Sequence, residues 1–272
     1  MKIVDIGRSF VKRTARRLAP HFYVAISAVR SRYHAQRLEA QWGLVDHTHL
    51  LVETYGAAVM SGPFKNIRYP PRSLLRHSGP KLLGTYECEV YAFLELAISA
   101  LPNVVIDIGC AEGYYAVGLA KRLPAAKVYA FDIDPWARRR TREMAMLNNV
   151  QNLEVAGECM RDWLISHAQG SAFIVMDCEG CEAHLAANAV TDLKASSWWM
   201  IELHELASPG VTERLRSFFA STHRVELITS RPRHRGDAPA VVAMNDSSQV
   251  MAWMQEHRDA GQQWLVCSPI DS

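Results

Sequence analysis

The sequence predicts a doubly wound α/β fold: a mostly parallel, seven-stranded sheet covered by helices on both faces, behind a mainly helical N-terminal extension. Three observations predict it. From residue 86 onward, short apolar runs alternate with stretches whose apolar residues recur at helical spacing, the pattern of strand–helix–strand units. The run Val104-Val105-Ile106 is apolar throughout, as are strands buried on both faces. It ends in Asp107, and Gly109 and Gly113 follow, a turn in which glycine permits a tight reversal and close approach by a ligand.

The elements follow in order. A helix is expected over 86–100, then the strand at 104–108. Gly113 opens a helix whose apolar residues Tyr114, Val117, Ala120 and Leu123 fall on one face. "KVYAFDIDP" (127–135) is a second strand ending in Asp132, and Pro135 suits the first turn of a helix over 135–148. "NLEVAG" is a third strand, followed by a helix at 159–168. "AFIVMD" is a fourth, with a helix from about residue 180. "SWWMIELH" is the fifth, before a helix at 210–220. "HRVELITS" and "QQWLVCS" are the sixth and seventh, with a helix at 246–258 between them.

The 272 residues are 49% hydrophobic and 21% charged, with a net charge of +2, which fits one globular domain with an extension and does not itself argue for or against nucleic acid. The expected division is 1–83, a basic helical extension and connection, and 84–272, the α/β domain. No apolar run approaches the roughly 18 residues of a membrane span, so a cytoplasmic protein is expected. Residues 1–40 carry nine Lys or Arg against Asp5 and Glu39. That segment reads first as a solvated helix packed on the core. Its charge would also allow peripheral contact with the inner membrane face.

The glycine turn narrows the chemistry. A dinucleotide site would read G-x-G-x-x-G, whereas this chain has Asp107-x-Gly109-x-x-x-Gly113 with Glu112 before the last glycine. Those carboxylates would repel a pyrophosphate, which seeks bare N–H groups at a helix N-terminus. They suit a ligand with cationic and hydroxyl-bearing parts, such as S-adenosylmethionine. Asp132 follows about twenty residues later, where a carboxylate would accept bonds from a ribose diol, and Ile133 would lie against adenine.

Asp107, Asp132, Glu158, Asp177 and His204 stand at or just beyond the carboxyl ends of five successive strands. Ligands of doubly wound sheets bind there, so the five are expected to share one crevice. The six cysteines do not suggest a disulfide framework. Cys178-Glu179-Gly180-Cys181 is a C-x-x-C, but Asp177 and Glu179 would raise a thiol pKa, and no second ligand pair completes a zinc site.

Four segments, "GTYECEV", "VVIDIGCAEGYYA", "VMDCEGCE" and "WMIELHE", resemble class I S-adenosylmethionine-dependent methyltransferases, and more narrowly the FkbM-type family, known mainly for O-methylation. The run Asp177-x-Glu179-Gly180-x-Glu182 is the most diagnostic. Cys110-Ala111-Glu112 departs from the family's more usual Ala-Asn-x. The resemblance covers about 84–205. It implies that Asp107 and Gly109 lie along the methionine part of the cofactor, bordered by Cys110, Glu112 and Gly113. Asp132 would hold the ribose, Glu158 or its neighbour would sit near adenine, and Glu87 would close the cofactor pocket from the N-terminal side, with Asp177 also among the cofactor-binding residues.

Methyl transfer to an alcohol needs a base, and His204 is the first candidate because its ordinary pKa suits proton removal. Asp177 and Glu179 are the alternatives, as base or as ligands of a divalent cation. The metal-free route is preferred, and no metal ligand is assigned. The expected acceptor is a hydroxyl-bearing small molecule or glycan: a sugar, glycolipid, polysaccharide or secondary metabolite. Nucleic acid is not expected, because neither a D/N-P-P-Y/F run nor a Pro-Cys pair follows the fourth strand. The alternative reading is a non-catalytic scaffold on the cofactor fold.

Overall fold

The computed structural model describes residues 47–74, 78–168, 170–182, 185–186, 196–256 and 261–270. Seven strands form one sheet: β1 (Val104–Ile108), β2 (Lys127–Phe131), β3 (Leu153–Ala156), β4 (Ala172–Met176), β5 (Trp198–Leu203), β6 (His223–Thr229) and β7 (Gln263–Pro269). Their spatial order is β3-β2-β1-β4-β5-β7-β6. The pairs among the first five are parallel, and β7 runs antiparallel between β5 and β6. The doubly wound fold is therefore as the alternation predicted, and each expected strand lies within a residue or two of its place.

The sheet's two faces arise from alternation within β1. Val105 joins one apolar cluster and Ile106 and Ile108 join the other, because successive side chains of a strand point to opposite faces. Helices α1 (His47–Tyr55), α2 (Gly79–Leu83), α3 (Tyr91–Ser99), α4 (Tyr114–Arg122), α5 (Pro135–Leu147) and α8 (Ser247–Trp253) contribute to the first cluster. The second takes Leu164 from α6 (Arg161–His167) and Val211, Leu215 and Phe219 from α7 (Val211–Phe219). Asp134 caps α5 by accepting the N–H of Trp136, with Pro135 in the first turn as expected.

Residues Asp46–Ser272 form one compact unit, which differs from the boundary expected at residue 83. Leu51, Val59, Phe64, Ile67, Tyr69, Leu82 and Leu83 lie in the same buried cluster as the sheet. Phe64 packs where Gly118 of α4 has no side chain; a Cβ there would stand 2.4 Å from its ring. Arg68 and Asn148 exchange two hydrogen bonds of 2.8 Å. The sequence hid this because the Pro/Gly-rich stretch 61–84 has no periodicity to mark it as core. The expected basic helices of residues 1–40 lie outside the described residues. Among the described residues, no helix is long and apolar enough to cross a membrane.

Candidate active site

The crevice lies at the carboxyl edge of β2, β1, β4 and β5. The sheet order reverses between β1 and β4, so the chain leaves these neighbours in opposite directions and opens space between the loops. Gly109 and Asp177 sit side by side there. The Asp177 N–H donates to Ile108 O at 2.8 Å, and a Cβ on Gly109, which has φ +93°, would fall 1.6 Å from Asp177 O. Gly109 is thus required first by the approach of β4, not only by the ligand the sequence suggested.

Asp107 is buried, and one of its carboxylate oxygens, Oδ2, has no hydrogen-bond partner. Burial, then the nearby Asp177 and Asp132, push its carboxyl up to about 8. An orphaned acceptor in an acidic crevice fits a ligand that brings positive charge. Asp132 is held from two sides: the N–H of Ala111 donates to one oxygen at 2.9 Å and that of Asp134 to the other at 2.8 Å. Burial nonetheless raises its pKa. Ile133 beside it is half-exposed, as a face for an adenine ring would be, and Glu158 is exposed just beyond β3.

Four residues beside the turn have partners or backbone roles of their own. The Cys110 side chain is buried among Ala116 and Ala130, its Sγ 3.5 Å from Thr141 Oγ1, so only its backbone borders the crevice. Glu112 is paired with Lys81 Nζ at 2.5 Å and accepts from Tyr69 Oη at 3.3 Å, which ties the turn to the 69–83 segment. Gly113 caps α4 at φ +99°. Glu87, buried at φ +51°, accepts a short hydrogen bond from Tyr115 Oη. Lys81, Tyr69 and Tyr115 carry no local signal in the sequence; their roles exist only once residues 69–74 and 78–87 fold over the turn.

At the other end, Asp177, Glu179 and His204 meet, their donor atoms all within 4.8 Å of one another. His204 Nε2 is 3.5 Å from Asp177 Oδ1 and 3.6 Å from Glu179 Oε2. Behind the ring, Nδ1 is 2.6 Å from Glu182 Oε1, whose side chain is fully buried. That bond, with the surrounding carboxylates, raises the His204 pKa to about 9. The expectation that His204 keeps its ordinary pKa is therefore corrected. Asp177 rises to about 6, mainly by burial and then by Glu87.

Cys178 and Cys181 are joined in a disulfide, their Cα atoms 5.5 Å apart, which the sequence reading did not expect. The left-handed backbone at Glu179 (φ +56°) and Gly180 (φ +108°) folds the pair together.

A family model described as ribosomal protein L11 methyltransferase (PrmA) matches residues 92–175, from α3 to β4. This stretch holds the glycine turn, Asp107 and Asp132. The chain is a member of the class I S-adenosylmethionine-dependent methyltransferase superfamily. The cofactor of that superfamily is S-adenosylmethionine, as the turn suggested.

A ribosomal protein L11 methyltransferase of Thermoanaerobacter pseudethanolicus is 31% identical over 113 residues, 41% of this chain and 33% of the relative. The chain thus spans about a third of that relative's length. Among solved structures, an rRNA methylase from Streptococcus thermophilus shares 12% identity at a TM-score of 0.48, covering 66% of this chain and 96% of that one. A putative O-methyltransferase from Klebsiella pneumoniae shares 12% identity at a TM-score of 0.49, covering 85% and 99%.

These findings overturn one expectation. The sequence leads one to expect a small-molecule or glycan acceptor and no nucleic acid, yet the sequence relative that matches is named for a ribosomal protein. The absence of two short motifs was too narrow a ground for that exclusion, because acceptor binding involves loops that the cofactor half does not specify.

Proposed function

We propose that this protein is an S-adenosylmethionine-dependent methyltransferase that methylates a hydroxyl oxygen at the Asp177–Glu179–His204 lip. The observation that carries the reading is the meeting of those three side chains at the tips of β4 and β5, across Gly109 from the buried Asp107. S-adenosylmethionine supplies, when bound, an electrophilic methyl group on a sulfonium that departs as a neutral thioether. Asp107, Gly109 and Asp132 would hold it, with Ile133 against the adenine. The chain itself must place the acceptor oxygen and receive its proton, and the carboxylate- and imidazole-bearing lip is the group of side chains suited to that.

Support for an oxygen acceptor comes from Asp177-x-Glu179-Gly180-x-Glu182, which resembles the FkbM-type run and puts acidic groups where a nitrogen-methylating enzyme would more often have D/N-P-P-Y/F. The relatives favour a macromolecular carrier for that oxygen, a protein or an RNA. The test is to incubate full-length protein with methyl-labelled cofactor and separated protein and RNA fractions of a cell extract, then locate the labelled atom by mass spectrometry. Label on oxygen is expected. Label only on nitrogen overturns the hydroxyl reading, and failure to bind the cofactor by calorimetry overturns the enzyme reading in favour of a scaffold.

A further inference from the structure

His204 is fixed from behind. Its Nδ1 lies 2.6 Å from Glu182 Oε1, a carboxylate oxygen that also accepts the Gly180 N–H at 3.1 Å. A carboxylate can only accept here, so Nδ1 carries the hydrogen, and the ring is locked with Nε2 toward the lip. Facing Nε2 are Asp177 Oδ1 at 3.5 Å and Glu179 Oε2 at 3.6 Å.

Those spacings are too long for N–H···O bonds, which need about 2.7–3.2 Å. They are close to what one ion demands of its ligands. Donors each about 2.0–2.2 Å from a single metal ion stand roughly 3.0–3.5 Å apart, depending on the bond angle. An independent observation points the same way. Asp177 Oδ1 is shut off from solvent and has no hydrogen-bond partner, so a desolvated lone pair is aimed at the space beside Nε2. Cys178 and Cys181 are bonded to each other and offer no competing thiolate.

We propose that Asp177, Glu179 and His204 bind a divalent transition-metal ion, with Glu182 orienting His204 as a positioning residue. One imidazole and two carboxylates suit Mn²⁺, Fe²⁺ or Zn²⁺ better than an all-oxygen ion such as Ca²⁺. A carboxylate on the far nitrogen of a ligating histidine is the usual supporting arrangement in such sites. Three protein ligands leave further positions open, and Glu179 lies on the exposed side where an acceptor can enter. The chemistry such an ion supplies is acidification of an acceptor hydroxyl. That role rests on the methyl-transfer reading, but the binding does not.

The test titrates Mn²⁺ into the full-length protein and follows the loss of the free-ion signal by electron paramagnetic resonance, with S-adenosylhomocysteine affinity measured in parallel by calorimetry. One ion per chain is expected. His204→Ala should weaken it by at least about 100-fold, and Glu182→Gln by about 10–100-fold. Glu179→Gln changes an exposed side chain that the fold does not need, and should still weaken binding about tenfold or more. Wild-type protein that leaves the Mn²⁺ signal unchanged overturns the proposal, as does unaltered affinity in Glu179→Gln and His204→Ala. Loss of the metal result with S-adenosylhomocysteine still bound leaves the methyltransferase reading standing; failure of S-adenosylhomocysteine to bind removes that reading instead.

Discussion

The two ends of the crevice are built on opposite principles. At the cofactor end the backbone fixes the carboxylates: Asp132 accepts two N–H groups, and Asp107 is buried at the tip of β1 with one oxygen unpaired. At the acceptor end, side chains fix one another. His204 is held by Glu182 and faces Asp177 and Glu179 across gaps wider than a hydrogen bond. Changes at the first end should therefore act on cofactor affinity, whereas changes at the second should act on turnover and leave cofactor affinity intact.

The harshest way to break that contrast is Gly109→Val, which strikes where the two ends touch. The new Cβ would meet the Asp177 carbonyl at 1.6 Å, in a backbone conformation that β-branched residues avoid. The β1–β4 contact cannot open without displacing both ends, so loss of cooperative melting and of cofactor binding is expected, by circular dichroism and calorimetry. A folded variant with normal affinity would mean that the strand tips are not rigid.

His204→Ala comes next. Cofactor affinity should hold while the rate of methyl transfer falls by about 10²-fold or more, and the melting temperature should drop because the buried Glu182 carboxylate loses its partner. A matching loss of cofactor affinity would erase the distinction between the two ends.

Asp132→Ala should act on cofactor affinity and on stability. Its carboxylate accepts the N–H groups of Ala111 and Asp134 as well as facing the ribose position, and bonds to charged groups contribute roughly 1.5–3 kcal/mol each. A tenfold or larger loss of affinity with a lowered melting temperature is expected. Unchanged affinity in a folded variant would remove Asp132 from the site.

The smallest and sharpest effect concerns Asp107. Its folded pKa, up to about 8, lies far above the ordinary carboxylate value of 3.8. Between those values the unfolded chain gives up its proton while the folded protein keeps it. Stability of the cofactor-free protein should therefore fall as pH rises from about 4 to 8. Asp107→Asn should remove that slope and raise the melting temperature at pH 8 by a few degrees, while weakening the cofactor. A variant less stable than wild type at pH 8 would show that the charge is already compensated.

Much of this was legible in the chain. The strand–helix alternation, the tips at Asp107, Asp132, Asp177 and His204, and the glycine turn are local patterns, and hydrophobic periodicity with turn chemistry encodes them directly. Glu182 was visible as the third acidic residue of Asp177-x-Glu179-Gly180-x-Glu182, but nothing local said that it would reach His204, twenty-two residues away. Residues 61–84 were legible only as an irregular, Pro/Gly-rich connection.

By itself, then, the sequence determined the fold, the superfamily and the edge of the sheet where the site lies, since each depends on residues near one another in the chain. The tertiary structure alone decided the rest: that Phe64 and Tyr69 belong to the core, that Lys81 pairs with Glu112, that the Cys110 thiol faces inward, and that His204 sits among three carboxylates. The physical reason is one of range. A strand or a turn is set by spacings of two to four residues, whereas a side chain's charge and partners are set by whatever distant segments the fold packs against it.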